Sequence, residues 1–208
     1  MGISNRELKK RIISISYKHN LSHLGSCLGA VGIIDNIYSI KKPDEKFVLS
    51  SGHAGLALYC VIEKYGGKNA EEIFNHHGVH PDRCSTCELD CSTGSLGHGL
   101  GIAVGMALAD RSKNVYCLVS DGECAEGSIH EALRVKDEQK LDNLKVYINF
   151  NGYGAYRKVK HLYLAAEGIE KITIKRGINK DFPFIRDLDG HYYVMSEEDY
   201  KLAQDILS

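Results

Sequence analysis

The chain has 208 residues, of which 43% are hydrophobic and 25% charged, and its formal net charge is −1 at pH 7. This length and composition are enough for one large domain with its own core, which excludes a wholly disordered protein. The near-neutral balance of mixed charges argues against nucleic acid or an anionic membrane as the partner, and it favours a small-molecule substrate.

The protein is predicted to be located in the cytoplasm. No apolar run reaches the roughly 18 residues of a membrane span, and the first residues lead into a charged segment unlike a secretory signal. The chain has seven cysteines, an odd number, which is more typical of free thiols or metal ligands than of a secreted disulfide framework.

The first elements along the chain are helical. Ser4 and Glu7 form a capping-box pattern, and apolar residues then recur at helical spacing up to Asn20. A glycine-rich loop over residues 22–29 follows and places His23 directly before a second helical stretch.

Residues 47–50 form a short apolar run that predicts a strand, and a helix is expected from residue 51 to Gly66 and Gly67. His53 therefore lies just past a strand. Residues 75–99 are predicted to be irregular, and a loop of this length is usually functional. The helix predicted over residues 100–110 is rich in alanine and glycine, which would suit close packing at a subunit interface.

Two polar residues, Asp121 and Asn151, each follow a strongly apolar run, 115–119 and 144–150 respectively. The segment 128–141 between the runs is long enough for one crossover helix, so the three pieces predict a βαβ unit with parallel strands. Parallel strands bring their carboxyl ends to one edge, where a carboxylate and an amide oxygen would suit Mg²⁺ carrying a phosphorylated cofactor.

The turn after the first of these strands contains Gly122, which lets the backbone approach a phosphate closely before a helix begins. Further on, residues 170–174 predict one more strand. A closing helix is expected over residues 197–207 after a Ser196 cap. The pattern as a whole predicts an α/β fold with a mostly parallel sheet.

Five motifs occur in an order typical of one enzyme family. They are His23-Leu24-Gly25-Ser26, Leu49-Ser50-Ser51-Gly52-His53, His80-Pro81, Ser92-Thr93-Gly94-Ser95-Leu96-Gly97-His98-Gly99, and Asp121-Gly122-Glu123 with Glu126-Gly127 and Asn151. With these motifs the chain resembles, over about residues 20–156, the diphosphate-binding half of transketolase, a thiamine-diphosphate enzyme. The resemblance implies a three-layer α/β sandwich forming a single cofactor-binding domain over residues 1–208, shortened after about residue 156.

The resemblance also implies roles for individual residues. Asp121, Asn151 and the backbone carbonyl of Tyr153 would bind Mg²⁺, with Ca²⁺ as an alternative ion. The residues expected to contact the diphosphate or its turn are His53, Gly122 and Glu123. Those expected to line the thiazolium ring are Gly94, Ser95 and Leu96. The residues expected to act in catalysis are His23, His53, His80 and Glu126, the last reaching toward a glutamate of a partner subunit.

The function that the resemblance implies is transfer of a two-carbon ketol unit between sugars or sugar phosphates. The family builds its site from two domains, and this chain resembles only the one that binds the diphosphate. We therefore expect an oligomeric transferase that needs a pyrimidine-binding partner subunit. Two alternatives stay open: another thiamine-dependent condensation, similar to that of deoxyxylulose-phosphate synthase, and a non-catalytic cofactor-binding module.

A second metal site is suggested by the spacing of His80, Cys84, Cys87 and Cys91, which could form a Cys₃His zinc knuckle. This assignment competes with a catalytic role for His80. Zinc sites usually use two well-separated ligand pairs, so the sequence favours free thiols over zinc at these cysteines.

Overall fold

The computed structural model describes residues 4–154, 156–162, 169–174 and 181–208. Its centre is a four-stranded sheet in the order β1-β2-β3-β4. The strands are β1 Lys46–Leu49, β2 Val115–Ser120, β3 Leu144–Phe150 and β4 Ile169–Ile174. All three neighbouring pairs are parallel, which confirms the predicted parallel α/β sheet.

Seven helices surround this sheet in the described part of the chain. They are α1 Asn5–Lys18, α2 Leu24–Ile40, α3 Gly55–Lys64, α4 Ala70–His77, α5 His98–Ala109, α6 Gly127–Glu138 and α7 Glu197–Ile206. Capping boxes are present before α1, at Ser4 with Glu7, and before α7, at Ser196 with Asp199. Among the described residues, no helix combines the length and the apolar character that crossing a bilayer requires.

The two faces of the sheet are covered by different helices, because successive residues of a strand point to opposite sides. On β1, Phe47 and Leu49 belong to the core formed with α1, α2 and α3. Val48 instead belongs to a second core with α5 and α6. This alternation gives the three layers that were predicted.

Helix α4 differs from the sequence-based expectation, which assigned no helix before an irregular segment from residue 75. Asn69 caps this helix, since its side-chain oxygen accepts hydrogen bonds from the backbone N–H groups of Glu71 at 3.0 Å and Glu72 at 3.3 Å. Its eight residues are too few for the apolar spacing to reveal it.

The carboxyl ends of β1, β2 and β3 lie side by side at one edge of the sheet. Leu49 is in register with Leu118, and Ser120 is in register with Asn149. Residues that follow these strands therefore gather at this edge, which is where ligands bind in open parallel sheets.

Candidate functional site

Asp121 and Asn151 follow adjacent strands, as predicted. The backbone N–H of Asp121 donates to the carbonyl oxygen of Asn149 at 3.1 Å, which extends the ladder between β2 and β3. The Asp121 carboxylate accepts from the N–H of Gly152 at 2.7 Å and from that of Gly122 at 3.1 Å. The carboxylate therefore reaches the turn that begins with Asn151, so the two predicted metal ligands share one corner of the sheet edge.

The Asp121 side chain is buried, with 1% of its surface exposed. Burial raises the pKa of Asp121 to about 6, although backbone N–H donors, led by Gly152, act in the opposite direction. Each carboxylate oxygen can accept more than one hydrogen bond or metal bond, so the two N–H groups leave room for a cation. A divalent cation at this corner would stabilise the charged carboxylate.

Glu123, two residues further on, is fully buried and faces the protein rather than the site. Its carboxylate accepts hydrogen bonds from the Ser50 hydroxyl at 2.6 Å, from the Gly97 N–H at 3.0 Å and from the Ser120 N–H at 2.9 Å. These donors belong to the end of β1, to the loop before α5 and to the end of β2. Glu123 therefore connects the ends of β1 and β2 with the loop before α5, whereas the sequence predicted contact with the diphosphate or its turn.

Four histidines gather beside this corner. The ring centroids of His23 and His53 are 5.3 Å apart, and the ring of His191 lies 4.5 Å from that of His23 and 5.4 Å from that of His53. His80 completes the group by lining the same cavity, which measures about 240 Å³. His23 adopts a left-handed backbone conformation, with φ of 62°, at the start of α2, a conformation that is uncommon outside glycine.

Two half-buried histidines of this group, His23 and His53, are held neutral near pH 7. Burial, followed by the neighbouring His191 and His80, lowers the pKa of His23 to about 4. Burial, followed by His23, His191 and His80, lowers the pKa of His53 to about 3. A neutral imidazole has one donor and one acceptor nitrogen, so each ring can both give and receive a hydrogen bond from a hydroxyl group.

The loop before α5 packs against His80 at Gly94. A Cβ atom added to Gly94 would lie 3.1 Å from Cδ2 of His80, so the absence of a side chain lets the imidazole ring lie against the backbone. The same loop is fixed to β1, because the Thr93 hydroxyl donates to the carbonyl oxygen of Leu49 at 2.7 Å. Gly97, with φ of 82°, ends the loop where an L-residue would be strained.

One cavity brings together most of the residues that the sequence selected. The predicted residues that line it are His23, His53, His80, Gly94, Leu96, Gly122, Asn151 and Tyr153. An adjoining cavity shares Leu96 and Gly122 and is also lined by Asp121. Ser95 is exposed and lines neither cavity. Glu126 also lies apart from them and packs against Gly97 at the start of α6.

Sequence reasoning missed His191 and Tyr192, which come from a short 3-10 helix, Asp189–His191, and the residue after it. The backbone N–H of His23 donates to the carbonyl oxygen of His191 at 3.0 Å, so this turn is fixed to the start of α2. The sequence did contain a signal for this residue, because Gly190-His191 repeats the Gly-His pair of Gly52-His53.

A basic loop after β3 was also missed. Arg157, Lys158 and Lys160 line the adjoining cavity together with Asp121 and Gly122. Lys158 is paired with Asp187 at 2.7 Å. These cations lie where an anionic group beside Gly122 would be stabilised, and their closeness to β2 could not be read from their distance along the chain.

The predicted zinc set of His80, Cys84, Cys87 and Cys91 does not come together in the part of the chain that the structure describes. Cys87 is buried in the core under α1 to α3, whereas Cys91 is buried in the core on the opposite face of the sheet. The Cys91 thiol donates to the carbonyl oxygen of Ser92 at 3.3 Å. The predicted ligand set was therefore wrong, because the chain crosses from one face of the sheet to the other between Cys87 and Cys91.

Comparison with known proteins connects this geometry with a family. A family model described as transketolase, thiamine diphosphate binding domain, matches residues 20–163. An apulose-4-phosphate transketolase subunit of Phocaeicola vulgatus is 33% identical over 170 residues, covering 73% of this chain and 60% of that protein. The transketolase of Homo sapiens is 39% identical over 121 residues, covering 53% of this chain and 19% of that enzyme.

The fold is shared with solved transketolases. The transketolase of Campylobacter jejuni superimposes with a TM-score of 0.64 at 22% identity, over 98% of this chain and 35% of that one. The chain thus spans less than two thirds of the length of each of these relatives. With the family model matching most of its length, this chain belongs to the transketolase family, of which it carries the thiamine diphosphate-binding domain.

Proposed function

We propose that this chain is the diphosphate- and metal-binding subunit of a transketolase-type transferase, which moves a two-carbon ketol unit between sugars or sugar phosphates. The observation that carries the proposal is the sheet edge where Asp121 and Asn151 meet beside a cavity lined by four histidines. Thiamine diphosphate, when bound, supplies the electron sink that cleavage of a carbon–carbon bond needs.

In this proposal, the side-chain oxygens of Asp121 and Asn151 and the carbonyl of Tyr153 would hold Mg²⁺. These are hard oxygen ligands, which Mg²⁺ prefers, and Mg²⁺ commonly bridges protein carboxylates and phosphate oxygens. The backbone at Gly122, whose N–H donates to the Asp121 carboxylate at 3.1 Å, would approach the diphosphate closely, and His53 would give the diphosphate a hydrogen bond. The basic residues of the loop after β3 add positive charge on the same side.

Two orphaned polar atoms support binding of a ligand in the histidine cavity. Nδ1 of His23 and Oδ1 of Asn149 are buried, and among the described residues neither has a hydrogen-bond partner. Both residues line the cavity. Buried polar groups are nearly always satisfied in folded proteins, so these two atoms are expected to pair with a bound ligand or with water that accompanies it.

The four histidines are proposed to hold the sugar. As neutral rings, His23 and His53 can accept a proton from one hydroxyl group and donate one to another without first losing a charge, which suits proton exchange near neutral pH. His23, His53 and His191 are half-buried, whereas His80 is exposed. The loop of Gly94, Ser95 and Leu96 would cover the thiazolium ring, and Leu96 lines both cavities in support of that role.

Assembly with a partner is part of the proposal. The supporting observations are that one relative is named as a subunit of a transketolase and that α5 has an uncovered apolar face. On this face Ile102 and Leu108 are each 40% exposed, and Gly101 and Gly105 would let another backbone approach closely. Glu126, just before α6, is proposed to reach toward the catalytic glutamate of the partner.

The test is reconstitution. The purified chain is assayed with Mg²⁺, thiamine diphosphate, a ketose phosphate donor and an aldose acceptor, alone and with a candidate pyrimidine-domain subunit from the same organism. Ketol transfer is expected only in the mixture, and Asp121→Asn should abolish it. Transfer by the chain alone, or turnover only with pyruvate as donor, would contradict the proposal; binding of the cofactor with no turnover in the mixture would indicate a non-catalytic module.

A further inference from the structure

A second group of metal-binding side chains lies outside the histidine cavity, at the end of α4. His76, His77 and Cys84 each direct one potential ligand atom to a common point, and these three atoms lie within 4.8 Å of one another. Of the described residues, no other set of three or more His, Cys, Asp or Glu side chains converges in this way. The rings of His76 and His77 meet edge to face, with centroids 4.5 Å apart.

A fourth donor comes from the turn that follows Cys84. The Cys87 N–H donates to the carbonyl oxygen of Cys84 at 3.3 Å, which brings the two cysteines together in one turn, and the Thr86 hydroxyl oxygen is 3.2 Å from the Cys84 sulfur. The two cysteines are the ends of a Cys-x-x-Cys sequence, the spacing that many structural zinc sites use for one ligand pair. Two consecutive histidines on a separate element would supply the other pair.

The backbone of this turn is already arranged around the Cys84 sulfur. The chain reverses between Cys84 and Leu89, which exchange backbone hydrogen bonds of 2.8 and 2.9 Å. Within the turn, the N–H groups of Thr86 and Cys87 are directed at the Cys84 sulfur. Hydrogen bonds of this kind orient a thiolate ligand and support it from outside the metal's own coordination sphere.

His77 provides an independent sign of a ligand. Its Nε2 atom is buried, and no hydrogen-bond partner for it exists among the described residues. A disulfide between Cys84 and Cys87 would leave this nitrogen unsatisfied and would leave His76 without a role. A metal ion bound by all four side chains satisfies both.

We propose that His76, His77, Cys84 and Cys87 bind one structural Zn²⁺ ion. Imidazole nitrogen and thiolate sulfur are the donors that tetrahedral zinc prefers, with bonds of about 2.0–2.1 Å to nitrogen and about 2.3 Å to sulfur. Ligand atoms of such a site are separated by somewhat less than 4 Å, so those of His76, His77 and Cys84, which lie within 4.8 Å of one another, need only small rotations from their present positions. The Cys87 side chain would turn toward this group from the same turn as Cys84. Four protein ligands close the site, and it has no open position for a reactant.

The ion would connect two parts of the fold that frame the histidine cavity. From Cys84 the chain runs back to Pro81 and His80, and the carbonyl of Pro81 accepts a hydrogen bond from the Thr93 N–H at 3.0 Å. Zinc would therefore fix the end of α4 to the segment that holds His80 against Gly94. This proposal does not depend on the reaction that the cavity performs.

The first test is the metal content of the full chain, purified without chelator and without a polyhistidine tag. Mass spectrometry of the metals should find close to one zinc ion per chain. The zinc content should fall to about a tenth or less in Cys84→Ser and in Cys87→Ser, whereas the matched control Cys91→Ser should keep it. A chain that stays zinc-free after dialysis against zinc under reducing conditions, or that loses zinc only in Cys91→Ser, would overturn the proposal.

The second test uses the unmodified protein and so does not depend on whether a variant folds. Replacement by Co²⁺ should give the strong absorption bands of tetrahedral cobalt and a thiolate-to-cobalt charge-transfer band. Alkylation of the thiols should then abolish both signals. Weak absorption typical of octahedral cobalt, or a spectrum without the charge-transfer band, would show that the two cysteines are not ligands.

Discussion

Asp121 and Glu123 lie two residues apart in one turn, yet their carboxylates face different surroundings. Asp121 is surrounded by backbone N–H groups at the sheet edge, whereas Glu123 is enclosed by donors from three loops. The sequence placed Asp121 at this edge because Asn151 follows the next apolar run along the chain, and the ends of neighbouring parallel strands lie together. It assigned Glu123 less well, since the partners of that side chain are far away along the chain.

The carboxylate of Glu123 predicts a stability effect. In Glu123→Gln, one of the acceptor oxygens becomes an amide N–H₂ group that faces existing donors, so a buried group loses its partner. We expect the free energy of unfolding to fall by about 1–3 kcal/mol, measured by urea denaturation. The exposed Glu131→Gln on α6 is the matched control and should change the stability by less than about 0.5 kcal/mol. Equal effects of the two substitutions would contradict the inference that the hydrogen bonds of Glu123 stabilise the fold.

The histidine group predicts how stability depends on pH. The pKa of His53 is lowered by burial from its ordinary value of 6.5 to about 3. Below pH 6.5, His53 is therefore protonated in the unfolded chain but stays neutral in the folded chain, so acid favours unfolding. The free energy of unfolding is therefore not reduced by His53 above pH 6.5, and it falls as the pH decreases from 6.5 toward 3.

Urea denaturation at several pH values measures this effect. We expect the free energy of unfolding to fall by up to about 1.4 kcal/mol per pH unit for a histidine that stays neutral in the fold. The variant His53→Asn should lose stability less steeply between pH 6 and 4. A variant with the same slope as the unmodified chain would show that His53 takes up a proton normally in the folded state.

At the scale of elements, the strands were the most predictable part of the molecule. Strands β2 and β3 are strongly apolar runs, and the observed β3, Leu144–Phe150, has the bounds that the sequence indicated. The helices with long apolar repeats were equally clear. Helix α4 and the turn containing His191 were not, because eight and three residues carry too little periodicity and their positions depend on tertiary packing.

Helix α5 carries a prediction about assembly. Cβ atoms added to Gly101 and Gly105 would meet no other atom within 4 Å, and both positions lie within a helix. Replacing both by alanine should raise the free energy of unfolding of the isolated chain by about 0.5–1 kcal/mol per site, because glycine loses more conformational entropy in a helix. The same substitutions should weaken association with the partner subunit, where closely approaching backbone leaves no room for methyl groups.

Thermal unfolding of the isolated chain and analytical ultracentrifugation of the mixture measure the two effects. We expect the double variant to be more stable than the unmodified chain and to associate more weakly with the partner subunit. If the double variant is more stable and associates as tightly as the unmodified chain, the α5 face is not the contact surface.

At the scale of the whole molecule, the parallel sheet decides where the site lies. Because β1, β2 and β3 all end at one edge, residues as far apart in sequence as His53, Asp121 and Asn151 lie around one corner. The sequence predicted this gathering from strand pattern and family resemblance. It could not predict that Cys84 lies close to the histidines of α4, since their positions depend on a helix that the sequence did not reveal.

The most direct test of the central claim is a calorimetric titration of the full chain with thiamine diphosphate in the presence of Mg²⁺. Binding is expected to require the metal and to weaken by more than about 100-fold in Asp121→Asn, because even loss of a group that supports a metal ligand costs roughly 10–100-fold in affinity. The control Asp205→Asn, at an exposed position of α7, should bind like the unmodified chain. Unchanged affinity of Asp121→Asn for thiamine diphosphate, or binding that does not depend on Mg²⁺, would contradict the claim that this sheet edge binds the metal and the diphosphate.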